Sequence, residues 1–138
     1  MTLYKRIQHP ERPFIVHIVM GVEPKKLAYK LNRNKTKLKS IPSDYFDQDA
    51  NNEATVHDLV DYLPAHYVMI FHSAPQFNAI AHESFHCVAR HFRYIGQDLD
   101  ESSEESYAYM LDWLTSVIIK TLSNHDKHTK RENPSIPR

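Results

Sequence analysis

The stretch "AHESFH", Ala81 to His86, places two histidines four residues apart with a glutamate directly after the first. On an α-helix such residues share one face, about a turn apart, so His82 and His86 can aim ring nitrogens at one metal ion. Glu83 sits one step round. In this motif its carboxylate is not a ligand. It stands beside a metal-bound water and takes the proton as the water attacks a carbonyl. The implied chemistry is metal-assisted hydrolysis. The competing account is two histidines at the edge of a core, each hydrogen-bonded to a carbonyl.

A catalytic zinc takes three protein ligands and keeps a fourth position open. The third ligand is sought on the next helix, which offers Glu101, Glu104, Glu105 and Asp112. The connection "QDLDESS" is short, so the two helices should pack as neighbours. Helical spacing leaves the choice open. Glu104 lies nearer the apolar stripe of Tyr107, Met110, Leu111, Leu114, Val117 and Ile118. Glu105 shares the other side with Ala108, Tyr109 and Asp112. Ala108, Trp113 and Ile119 make this helix apolar almost all round, which predicts burial on two sides.

An oxyanion also needs a donor. Tyr107, Tyr109, His57, His72 and His91 are candidates. Tyr109 comes first because it shares the face of Glu105, against the plainer role of a core tyrosine with its hydroxyl at the surface. Asp112 reads as an acceptor for a ligating histidine. His91 and Arg93 read as surface residues, and Cys87 as a small core residue rather than a nucleophile. His125 and His128 read as solvated.

The elements that must position these groups follow from pattern. Phe14–Met20, "FIVHIVM", is β-branched and aromatic and closes at Gly21, which predicts an interior strand. "VEPKKLAYKLN" predicts a short helix with Pro24 in its first turn and Leu27, Ala28 and Leu31 on one face. Residues 32–53 read as a polar surface loop whose basic run carries Arg33, Lys35, Lys37 and Lys39. No aromatic interleaving supports nucleic-acid binding there. Residues 54–63 read as a strand or a helical turn, and "HYVMIFHS" as a second strand. Asn78 is a candidate cap for a helix ending near Ile95, with Gly96 placed to stop it. In that helix Phe85, Val88, Ala89, Phe92 and Ile95 form the expected apolar stripe, with His82 and His86 on its edge. Ser102 or Ser103 can cap the next helix, with Glu104 and Glu105 in its first turn, running to about Ser123.

The chain has 138 residues, enough for one domain with a modest core. The reading divides it into a polar arm (1–13), one domain (14–123) and a charged, flexible tail (124–138). One cysteine excludes an intrachain disulfide, and 17 basic against 17 acidic residues give no overall pull toward nucleic acid or acidic lipid. No apolar run approaches the roughly 18 residues of a membrane helix, and the start lacks a signal-peptide core. A cytoplasmic location is the expectation. The fold class expected is α+β, a small sheet packed against two long helices.

Over about Tyr67 to Ile119 the chain resembles the zincin metallopeptidases with a glutamate third ligand. It is most similar to small HExxH proteins of bacteriophages. The shared shape is a helix like "AHESFHCVARHF", a short gap, then a helix like "EESYAYMLDWL". In that family the second helix opens with a glutamate three residues before a small residue, here Glu105 before Ala108. The resemblance therefore implies zinc ligands His82, His86 and Glu105, with Glu83 as base. It also implies a minimal zincin-like domain acting on a peptide or protein substrate, and a cleft lined by the strand ending at Phe71. For a phage-encoded chain it implies the host cytoplasm or the virion. The rival reading is a non-catalytic structural or interaction protein that retains the motif and contacts phage structural or host proteins.

Overall fold

Two apolar strands hold the centre of a four-stranded sheet, because both of their faces are covered. The computed structural model describes residues 2–47 and 53–132. In chain order the elements are β1 (Leu3–Gln8), β2 (Ile15–Met20), α1 (Pro24–Asn32), β3 (Ala54–Asp58), β4 (His66–Phe71), α2 (Phe77–Tyr94) and α3 (Glu104–Glu132). The sheet order is β1-β2-β4-β3, with β2 and β4 parallel and both edge strands antiparallel to their neighbours. This is an α+β domain, with helices on both faces of a mixed sheet. Among the described residues no helix is long and apolar enough to cross a membrane.

Strand alternation divides the core in two. Phe14, Val16 and Ile18 of the β2 region point to one face with Tyr67, Met69 and Phe71 of β4. There they meet Ile80, Val88 and Phe92 of α2, and Met110, Leu114 and Ile118 of α3. Val19, Val68 and Ile70 point to the other face, against Leu27, Ala28 and Leu31 of α1 and against Ile41 and Phe46 of the following loop. The described part of that loop is mostly exposed, as its composition predicts, but it is pinned by these two apolar residues.

Two segments differ from the sequence reading. Residues 1–13 are not a free arm, since Leu3–Gln8 pair with β2 along its whole length. The chain after Ser123 does not leave the helix. It continues helical to Glu132, with Thr129 buried. Residues 133–138 of the expected tail lie outside the described residues. Gly96, in the left-handed region at φ 78°, follows α2 as expected. The residue capping the start of α2 is Gln76, not Asn78, and it makes no side-chain cap hydrogen bond.

The core contains three buried histidines. His91, read from sequence as a surface residue, is only 1% exposed. It stacks on Phe14 at 4.4 Å, and its Nδ1 meets the Tyr67 hydroxyl at 3.1 Å. Burial, helped by nearby Arg12 and His9, depresses its pKa to about 4. Burial likewise depresses His17 to about 3 and His66 to about 4. Each folded value lies below the ordinary 6.5. The unfolded chain therefore binds protons that the fold refuses. Stability is complete above about pH 6.5 and is lost as pH falls through the folded values. Thermal melts are expected to show a midpoint that is flat from pH 7 upward and drops steeply between about pH 6 and pH 4.

Candidate metal centre

Helix α2 sits chiefly over β3 and β4 and presents Ile80, Ser84, Cys87, Val88, His91 and Phe92 to the core. This is not the stripe expected from hydropathy, because Phe85 and Ile95 are each 44% exposed. Small residues allow the close approach to the sheet. Ser84 and Cys87, both fully buried, stand where the helix meets the strands. Cys87 is thus the small core residue expected, and burial raises its thiol pKa.

This rotation sets the direction of the histidine pair. At about 100° per residue, His82 and His86 bracket the direction opposite the buried face, so they lie on the outer surface rather than on its edge. Both are exposed, and their rings meet edge to face at 4.7 Å. The two Nε2 atoms stand 3.1 Å apart, at hydrogen-bonding distance, so without a metal one ring can donate to the other. Two nitrogens on a tetrahedral zinc, at bonds of about 2.0–2.1 Å, stand about 3.3 Å apart. The pair therefore fits one edge of a zinc tetrahedron, and imidazole nitrogen is among the ligands that suit that metal. Glu83 is tucked beside it. Its side chain is 14% exposed, and Oε1 lies 3.9 Å from Nε2 of His82.

The first turn of α3 is not brought to this pair. Phe92 stacks on Tyr107 at 4.0 Å, and Ile80 shares a groove with Ile119 and Leu122, so α2 and α3 run antiparallel. Glu105 then lies level with the last turn of α2, about two helical turns from His86 and three from His82. Glu105, Ala108 and Asp112 are exposed, as is Glu104. Among the described residues no group of three His, Cys, Asp or Glu side chains is disposed to hold a metal. The expected stripe on α3 is present: Met110, Leu114 and Ile118 are buried, and Tyr107, Leu111 and Val117 pack against them. The expected burial of its second face is not.

The oxyanion candidates are dispersed. Tyr109 is 71% exposed and lines a cavity with His9, Glu11, Arg12, Ser106 and Met110 that includes neither histidine of the pair. His57 faces the opposite side of the sheet, against the rings of Tyr45 and Phe46. His72 is exposed just after β4, and Tyr107 is packed on Phe92. Comparison with protein-family models, characterised proteins and solved structures finds no match to this chain.

A further positional difference concerns the strand beside α2. β4 is paired on both sides and every residue of it is buried, so it has no open edge. The edge strand on this side of the sheet is β3, and α2 lies along it. Arg90 of α2 reaches over to donate to the carbonyl of Val56 in β3. The alternation in "ATVHD" was the available sequence signal. It did not by itself separate a strand from a turn.

Proposed function

We propose that this protein is a zincin-like, metal-dependent hydrolase of peptide bonds, with His82 and His86 as zinc ligands. The 3.1 Å separation of their Nε2 atoms is the observation that carries the reading. Bound there, zinc would polarise a carbonyl and acidify water. Glu83 is the neighbouring proton acceptor. It takes a proton from the water attacking the carbonyl carbon and returns it to the amine as the C–N bond breaks. The third ligand implied by the resemblance, Glu105, is the part of the site that this arrangement leaves apart from the rest.

Glu83→Gln tests the assignment. The variant is expected to keep wild-type zinc affinity while hydrolysis of a fluorogenic peptide library falls by about 10²–10⁴-fold, the usual contribution of a general base. Unchanged hydrolysis, or zinc lost with Glu83, contradicts it.

The outward exposure of the pair favours a second reading. A metal held by two imidazoles on an open surface accepts a ligand from another molecule, so the chain can serve as a metal-linked interaction protein. Zinc binding without peptide cleavage in the wild type is the result that favours this second reading.

A further inference from the structure

On the face of the sheet opposite α2, β1 and β2 carry a chain of polar side chains that the metal site does not use. Arg6 is the register partner of His17, and Tyr4 lies two residues along on the same face. The Tyr4 oxygen lies 2.6 Å from Nδ1 of His17, and Nε2 of His17 lies 2.9 Å from Nδ1 of His66. His17 and His66 are 2% and 4% exposed. Tyr4 and His17 line a cavity of about 320 Å³ together with Arg6, Lys30, Arg33 and Asn34. The Lys30 ammonium sits over the Tyr4 ring at 4.3 Å.

Three cations thus converge on one concavity, and none of them has an acidic partner among the described residues. Such a cluster is repulsive unless an anion joins it. Guanidinium forks match the oxygens of phosphate, and an ammonium adds a point charge. The volume falls at the small-molecule end of the range for binding cavities. Farther along the same basic run, Lys37 and Lys39 are held by neighbours. Lys37 donates to the Asn32 carbonyl at 2.9 Å, and Lys39 lies over the Tyr62 ring at 5.1 Å.

We propose that this cavity binds the phosphate group of a small phosphorylated molecule, held by Arg6, Lys30, Arg33 and the Tyr4 hydroxyl. The buried chain explains how a tyrosine serves there. Both histidines are kept neutral by burial, and the phenol keeps its proton because burial raises its pKa to about 12. The three groups therefore form a neutral chain with two polarities. In one, Tyr4 donates to Nδ1 of His17, and Nε2–H of His17 donates to Nδ1 of His66. In the other, Nδ1–H of His66 donates to Nε2 of His17, and Nδ1–H of His17 donates to the Tyr4 oxygen. The Tyr4 O–H is then free to donate into the cavity. The proton count is the same in both, so phosphate selects a tautomer without changing charge. The proposal is independent of the zinc reading, since the cavity and the His82–His86 pair lie on opposite faces of the sheet.

The test uses the full chain with inorganic phosphate and pyrophosphate as probes, in calorimetry and in nitrogen-15 spectra of the imidazoles. One saturable site is expected. Arg6→Gln and Arg33→Gln, both at exposed positions, are each expected to weaken it by about tenfold or more, as for a lost hydrogen bond to a charged group. Phosphate is expected to move His17 and His66 toward the Nδ1–H tautomers in the wild type. In Tyr4→Phe that shift is expected to vanish while weaker binding remains. Absence of saturable binding at millimolar probe overturns the proposal, as does binding that ignores both arginine variants. Tight binding of a single-stranded oligonucleotide with no response to either probe also overturns it.

Discussion

Alanine at His82 or His86 is expected to abolish zinc binding. Each histidine supplies one of the two imidazoles of the pair, and the ring of one cannot chelate without the other. Loss of a mere hydrogen-bonding partner to a metal ligand costs about 10–100-fold in affinity, so removal of a ligand is expected to cost more than that. The fold is expected to survive, because both side chains are exposed and His82 is 67% so. Competition with a zinc indicator reads the affinity, and a thermal melt without metal checks the fold. Glu105→Ala belongs in the same series. Glu105 lies on the outward face of α3 and level with the far end of α2, so its loss is expected to weaken zinc less than either histidine does. A loss as large as that of His82→Ala would mean that the first turn of α3 closes on the metal.

The largest expected effect on stability lies elsewhere, at Phe14. Its ring is fully buried and contacts three aromatic neighbours: His91 at 4.4 Å, Tyr67 at 5.4 Å and Trp113 at 5.9 Å between centroids. These neighbours come from β4, α2 and α3, so the ring fastens the sheet to both long helices. Phe14→Ala removes apolar area and leaves a cavity that a rigid sheet cannot close, at a cost of about 3–5 kcal/mol. Against a total of roughly 5–15 kcal/mol for a native domain, that is enough to leave a large unfolded fraction at modest urea. Urea denaturation followed by far-ultraviolet dichroism measures it. A change under about 1 kcal/mol would mean that the helices are not fastened through this ring.

The centre of the fold was legible because its residues obey simple patterns. "FIVHIVM" and "HYVMIF" are continuous β-branched and aromatic runs, and such runs are what two covered faces require. Pro24 with Leu27, Ala28 and Leu31 marked α1 for the same kind of reason. The periphery was harder. β1 carries Lys5 and Arg6 among its apolar residues, as edge strands do, and charge hid its alternation. "NHDKHTK" has no apolar face to speak of, yet nothing in it breaks a helix, and α3 runs through it. The histidine pair was found from its spacing alone. Its direction was not, because hydropathy gives Phe85 more weight than Ser84 or Cys87, whereas close packing on the sheet prefers the smaller residues. The buried state of His17, His66 and His91 was hidden for a related reason. A histidine enters a core only when its nitrogens find partners, and those partners, Tyr4 and Tyr67, come from other strands.

Zinc X-ray absorption on the untagged wild-type protein, with metal content measured on the same sample, tests the central claim most directly. The account predicts about one zinc per chain with two imidazole nitrogens at about 2.0–2.1 Å. A chain that carries no zinc when isolated and takes up none when it is added contradicts the account, and so does zinc that shows no imidazole in its first coordination sphere.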